Sequence, residues 1–210
     1  SQKLKMKLTK KQKAVLIGTV LGDAFLQKTG EKNARLRLEH GEKQKEYLFW
    51  KSKVFGRLFQ GKPTFIKRIH PKSGKTYGYW RHQSSATPEF GKWRAVFYPK
   101  ETGGKKKIPT NLAEMLVEPI ALAVWYMDDG YFYAKDRNSF LYLGRVSKRE
   151  ACTAKDTIMK NFHVRTRVYD KKTKGFALYF SVAETKKLHK LIAPYVLPEF
   201  NYKLLPEMRK

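Results

Sequence analysis

The chain has 210 residues, with 45 Lys and Arg against 18 Asp and Glu, a formal net charge of +27, and 41% hydrophobic and 14% aromatic residues. This composition excludes a disordered basic tail, and the charge suits a polyanion: nucleic acid rather than a membrane, since no basic amphipathic helix or lipid signal accompanies it. A single cysteine, Cys152, excludes a disulfide framework and a cysteine-based zinc site, and the five histidines show no metal-ligand spacing.

These features predict a soluble, intracellular protein in a reducing compartment. The basic N-terminus, Ser1 to Lys13, is not followed by a signal-peptide core, and the longest apolar run, Pro119 to Met127, is too short for a bilayer.

In chain order, Thr9 and Gln12 form a capping box at the start of a helix expected from Lys10 to about Leu26. Ala34 to His40 alternates, with Arg35, Arg37 and Glu39 opposite Leu36, Leu38 and His40, which predicts a half-buried strand. Glu42 to Phe59 has helical spacing of large apolar residues. Thr64 to Ile69 and Lys75 to Gln83 read as a hairpin, with Tyr77, Tyr79, Arg81 and Gln83 on one face of its second strand. A helix over Pro88 to Tyr98 follows, and the Gly- and Lys-rich stretch Lys100 to Lys107 reads as a linker between halves 1–104 and 105–210.

The second half repeats this order. A helix ends at Asp129, and a strand is expected near Phe140 to Val146. A helix from a Ser147/Glu150 capping box to Phe162 comes next. His163 to Asp170 alternates with Arg165, Arg167 and Tyr169 on one face, paired with a strand at Gly175 to Val182, and Ala183 to Ile192 closes as a helix. Arg suits guanine edges and Gln adenine, while Tyr packs on sugars or bases, so the exposed faces of these strands read as a nucleic-acid surface.

Two apolar runs end in carboxylates 106 positions apart (129 − 23), about half the chain: Leu21-Gly22-Asp23-Ala24 and Trp125-Tyr126-Met127-Asp128-Asp129-Gly130. Gly18 and Gly22, four apart, form a small-residue stripe that lets a second helix approach closely. Helices packed side by side there bring Asp23 and Asp129 together, where mutual repulsion calls for a hard divalent cation such as Mg²⁺. The second run carries Val124 and Asp128 where the first has Gly18 and Gly22, so the two half-sites are not assumed equivalent.

These passages resemble the two-motif LAGLIDADG homing endonucleases, in particular the subgroup whose motifs read L-G-D-A and W-F-M-D-D-G. Lys106-Lys107-Ile108-Pro109-Thr110-Asn111-Leu112 and Asn201-Tyr202-Lys203-Leu204-Leu205-Pro206 carry the resemblance to about Pro206. It implies an α+β fold of two pseudo-symmetric αββαββα halves packed through the motif helices, each with a curved antiparallel sheet in the DNA major groove. It implies Asp23 and Asp129 as catalytic, metal-binding acids, with Lys106 and Lys203 as basic active-site residues, Lys107 replacing Lys106 if the register slips by one. The implied activity is metal-dependent cleavage of both strands of a long DNA site, leaving 3′ overhangs. The implied cofactor is Mg²⁺, with Mn²⁺ as a substitute and Ca²⁺ supporting binding alone, and the protein acts as a monomer. The alternative is an RNA-binding maturase that partners its own intron on the same fold.

Overall fold

The computed structural model describes residues 6–210; the first five residues of the basic N-terminal segment lie outside the described residues. Two compact units emerge. One comprises the described residues up to Lys13 with Asp23–Val96, the other Ala14–Gly22 with Phe97–Lys210. Each contains one four-stranded antiparallel sheet, so the architecture is α+β.

Helix α1 (Lys10–Leu21), whose residues to Lys13 belong to the first unit and the rest to the second, begins at the expected capping box: Gln12 N–H donates to Thr9 Oγ1 at 3.1 Å, and Thr9 N–H to Gln12 Oε1 at 3.0 Å. The helix stops at Leu21 rather than Leu26. Phe25–Lys28 is instead a strand, β1, pairing with β2 (Ala34–Gly41). Helix α2 (Lys45–Phe55), flanked by single 3-10 turns, leads to β3 (Thr64–Ile69) and β4 (Thr76–Gln83), and α3 (Pro88–Phe97) follows. The sheet order is β1-β2-β4-β3. Its inner face carries Leu26, Leu36 and Leu38, sealed with Tyr47, Phe55 and Phe90 of the helices.

The second unit opens with a short helix α4 (Leu112–Met115) and then α5 (Pro119–Asp129), with Pro119 in its first turn, where a missing N–H costs nothing. Ala121 to Met127 are all buried, as expected of a helix apolar on every side. Strand β5 (Gly130–Tyr133) starts directly after Asp129, a second strand absent from the sequence reading. It is followed by β6 (Asn138–Gly144), α6 (Lys148–Phe162), β7 (Arg167–Asp170), β8 (Phe176–Phe180) and α7 (Val182–Ile192), with sheet order β5-β6-β8-β7. The α6 capping box forms as read, Glu150 N–H donating to Ser147 Oγ at 3.1 Å. Each sheet thus sits in an αββαββα run; Asp23 lies between α1 and β1, and Asp129 ends α5 directly before β5. Among the described residues, no helix is long and apolar enough to cross a membrane.

Candidate functional site

Helix α1 from Ala14 to Val20 is buried, and it lies against α5 within the second unit. A Cβ added to Gly18 would collide with the Ala121 carbonyl oxygen and stand 2.9 Å from Val124 Cβ. One added to Gly22 would stand 2.6 Å from Asp128 Cβ. The two glycines therefore do have counterparts. Gly18 faces Val124 and Gly22 faces Asp128, each at the matching motif position, and the glycine supplies the space that its larger equivalent fills. Thr19 Oγ1 adds a hydrogen bond to Asp128 Oδ2 at 3.2 Å. Asp128, the residue least explained by sequence, is thereby part of the helix contact.

Asp23 follows Gly22, with 40% of its side chain exposed and His40 Nδ1 3.9 Å from Oδ2. His40 is buried on the inner face of β2. Its Nδ1 lies 3.1 Å from Gln44 Oε1, and its Nε2 lies 2.9 Å from Nζ of Lys51, a lysine buried in α2 with its ammonium 4.2 Å from the Tyr47 ring. Asp129 is the last residue of α5 and is half-buried.

The lysines resolve by their partners. Lys106 Nζ donates to Val20 O at 2.9 Å and Gly22 O at 3.1 Å, at the end of α1. Lys107 turns the other way, its Nζ 3.6 Å from Glu150 Oε1, while Ile108 N–H donates to Glu150 Oε2 at 3.0 Å. Burial alone would raise the Glu150 pKa, but hydrogen bonds from Ile108 and Ser147, aided by Lys107, hold it below the usual carboxylate value. Glu150 so fixes the register that leaves Lys106 facing α1.

Lys203, only 8% exposed, donates to Met127 O at 2.7 Å, near the end of α5. Helix C-terminal carbonyls lack intrahelical partners and carry partial negative charge, so an ammonium is favourable there. Each acid-bearing helix end thus holds a lysine.

A buried chain fixes Lys203. Leu205 N–H donates to His189 Nδ1 at 2.9 Å, so the proton of this imidazole is on Nε2, 3.1 Å from Tyr126 Oη, and Tyr126 O–H donates to Lys203 O at 2.7 Å. Burial lowers the His189 pKa to about 4 and raises that of Tyr126, keeping both neutral.

Strand register places Arg35, Arg37 and Glu39 on one face with Tyr77, Tyr79, Arg81 and Gln83, and adds Arg68, which the sequence reading missed. The face is internally ordered: Arg81 Nε bonds Glu39 at 2.7 Å, Arg35 Nε bonds Gln27 at 2.8 Å, and Arg68 lies 5.0 Å from the Tyr79 ring. In the second sheet, Arg167 and Tyr169 share a face with Tyr131, Phe140, Tyr142 and Tyr179, aromatic residues the sequence reading overlooked although they alternate. Arg165 is not on that strand. β7 begins at Arg167, because the Arg165 N–H is taken by Glu184 Oε2 at 2.8 Å instead of a neighbouring strand.

Among the described residues, no group of three or more His, Cys, Asp or Glu forms a closed metal cage. Carboxylates at helix ends, partly open to solvent, fit a hard divalent ion that takes its remaining oxygens from water and substrate.

The model of the LAGLIDADG DNA endonuclease family matches residues 13–188, and the chain belongs to that family. It is 27% identical, over 94% of its length and 85% of the relative's, to a probable intron-encoded endonuclease 1 of Wickerhamomyces canadensis. It is 31% identical to a protein RecA of Mycobacterium shimoidei over 96% of this chain and 48% of that one, and so spans about half the length of the curated relatives it first matches. A solved structure of the homing endonuclease I-WcaI bound to its DNA recognition sequence superposes with a TM-score of 0.86 at 27% identity, covering 95% of this chain and 88% of that chain.

Proposed function

We propose that the protein is a monomeric, site-specific endonuclease that cuts both strands of double-stranded DNA, leaving 3′ overhangs, with halves 1–104 and 105–210 each contributing one acid. The observation that carries this reading is the pairing of a lysine with each acid-bearing helix end: Lys106 on Gly22 O, one residue before Asp23, and Lys203 on Met127 O, two before Asp129. A binding scaffold has no use for two anchored ammonium groups beside two carboxylates.

Asp23 and Asp129 hold the metal, Mg²⁺ or Mn²⁺, and a divalent ion supplies Lewis-acid polarisation of the scissile phosphate. Lys106 and Lys203 stabilise the charge that builds on the phosphate oxygens, and their backbone anchors fix them before substrate arrives. The Arg-rich outer face of β1–β4 and the aromatic outer face of β5–β8 contact the recognition site.

The test is cleavage of a randomised duplex library with Mg²⁺, followed by sequencing of the ends. A single long site with 3′ overhangs is expected. Binding without cleavage in Mg²⁺ and Mn²⁺ overturns the reading in favour of an RNA-splicing cofactor on the same fold.

A further inference from the structure

The first unit contains a polar pair for which the second has no equivalent. Lys51 is fully buried, and its ammonium, which has only donors, gives a hydrogen bond to His40 Nε2 at 2.9 Å. That fixes the tautomer. The imidazole proton is on Nδ1, between Gln44 Oε1 at 3.1 Å and Asp23 Oδ2 at 3.9 Å. Both residues sit on regular elements, β2 and α2, and the Tyr47 ring covers the Lys51 ammonium. A charged group buried against a histidine is costly to keep and is not needed for packing.

The equivalent places in the second unit follow from strand register. Phe25 and Tyr131, each two residues past its acid, pair with Arg37 and Phe140. Counted along the strand His40 corresponds to Leu143, and counted across β4 and β8, where β6 bulges between Tyr142 and Gly144, to Gly144. Counting from the first residues of α2 and α6, Lys45 and Lys148, Lys51 corresponds to Ala154. None of Leu143, Gly144 and Ala154 has a polar side chain, and Ala154 is fully buried.

We propose that His40 and Lys51 are a positioning pair, Lys51 holding His40 and His40 orienting the Asp23 carboxylate, and that this device serves one half-site alone. The proposal rests on the endonuclease reading above. Its consequence is that the two DNA strands depend on different residues, and that loss of the pair turns the enzyme towards a nickase.

The experiment uses the full chain, a duplex selected by wild-type cleavage and labelled separately on each strand, and single-turnover kinetics in Mg²⁺. Removal of groups that orient metal-binding carboxylates lowers activity by about 10–100-fold. His40→Leu and Lys51→Met are expected to slow one strand by at least about 10-fold and the other by less than about 2-fold, so that nicked duplex accumulates. Affinity for the duplex in Ca²⁺ stays unchanged, and His40→Gln, which keeps a donor towards Asp23, recovers most of the lost rate. A variant that unfolds is identified by its thermal transition, and the question then rests on His40→Leu against His40→Gln. Equal slowing of both strands, or of neither, overturns the positioning pair. Failure of the wild-type chain to cut at all overturns the endonuclease reading instead.

Discussion

Gly22 and Asp128 stand face to face at matching positions of the two motifs, so close that a methyl group on Gly22 would lie 2.5 Å from Asp128 Oδ2. At Gly18 the obstacle is the Ala121 carbonyl, which is backbone and cannot rotate away. Alanine is favoured over glycine inside a helix by about 1 kcal/mol, but overpacking a tight contact costs about 1–3 kcal/mol or more. Gly18→Ala is expected to be net destabilising by about 1–3 kcal/mol in urea unfolding. Gly22→Ala should lose less, because the Asp128 side chain can turn, but it should also break the Thr19–Asp128 hydrogen bond. Wild-type stability for Gly18→Ala would show that the helices are not held in this contact.

Asp23→Asn and Asp129→Asn each remove a charge from a partly open position without changing its shape. Double-strand cleavage by either variant should fall below detection, leaving at most a nick in the strand served by the remaining acid, while duplex affinity in Ca²⁺ stays within about 3-fold, or about 0.6 kcal/mol. Gel-based cleavage and fluorescence anisotropy on the same preparations separate the two quantities. Undiminished cleavage by Asp129→Asn removes that residue from the active site.

Lys106 and Lys107 are neighbours with different partners. Lys106→Met should lower the cleavage rate by about 100-fold or more while leaving the melting temperature almost unchanged, since a charge aimed at a developing oxyanion is worth several kcal/mol only in the transition state. Lys107→Met should leave the rate near wild type and cost less than about 1 kcal/mol of stability, the worth of a partly exposed ion pair to Glu150. The reverse pattern would move the active-site lysine by one residue.

The buried His189 makes stability depend on pH. Its folded pKa of about 4 lies below the ordinary 6.5, so the unfolded chain takes up a proton first as pH falls. Its contribution is complete above pH 6.5, declines between pH 6.5 and 4, and is flat below. The full loss is about 3 kcal/mol. Glu150, held below its usual value, loses stability over a lower range as the pH falls below the ordinary carboxylate pKa. Urea midpoints across this interval read the slope directly. His189→Gln should be less stable at pH 7 yet show a shallower decline, and an unchanged slope would place the titrating group elsewhere.

On the second sheet, Arg167 lies on β7 with its guanidinium 5.0 Å from the Tyr179 ring, whereas Arg165 lies before the strand. Arg167→Ala should weaken duplex binding by about 1–3 kcal/mol or relax specificity at one position, and Arg165→Ala should do less of either. Specificity profiling of both variants distinguishes them.

The sequence revealed most of the helices and both hairpins, because these rest on local signals: capping boxes, alternation, and glycines at helical spacing. It concealed β1 and β5. Both are four residues long and pair along one edge, and Ala24-Phe25-Leu26 resumes the apolar run after Gly22-Asp23, so β1 reads as a continuation of α1. At the end of α1, Gly22 packs against a distant residue, Asp128. The same limit applied at the site. Lys106 stood out by its offset to Pro109, but that it turns to the end of α1 while Lys107 turns to Glu150 depends on residues far away in the sequence. His40 read as one more strand residue opposite the charged face, and only the tertiary structure brings Lys51 to it.

The interlocked glycines have a consequence for the chain's construction. A true two-fold contact sets every residue against its own copy. Two copies of α5 would set Val124 against Val124 and one Asp128 carboxylate against the other, with no glycine opposite to make room. A symmetric homodimer built from the second half must therefore first redesign this seam.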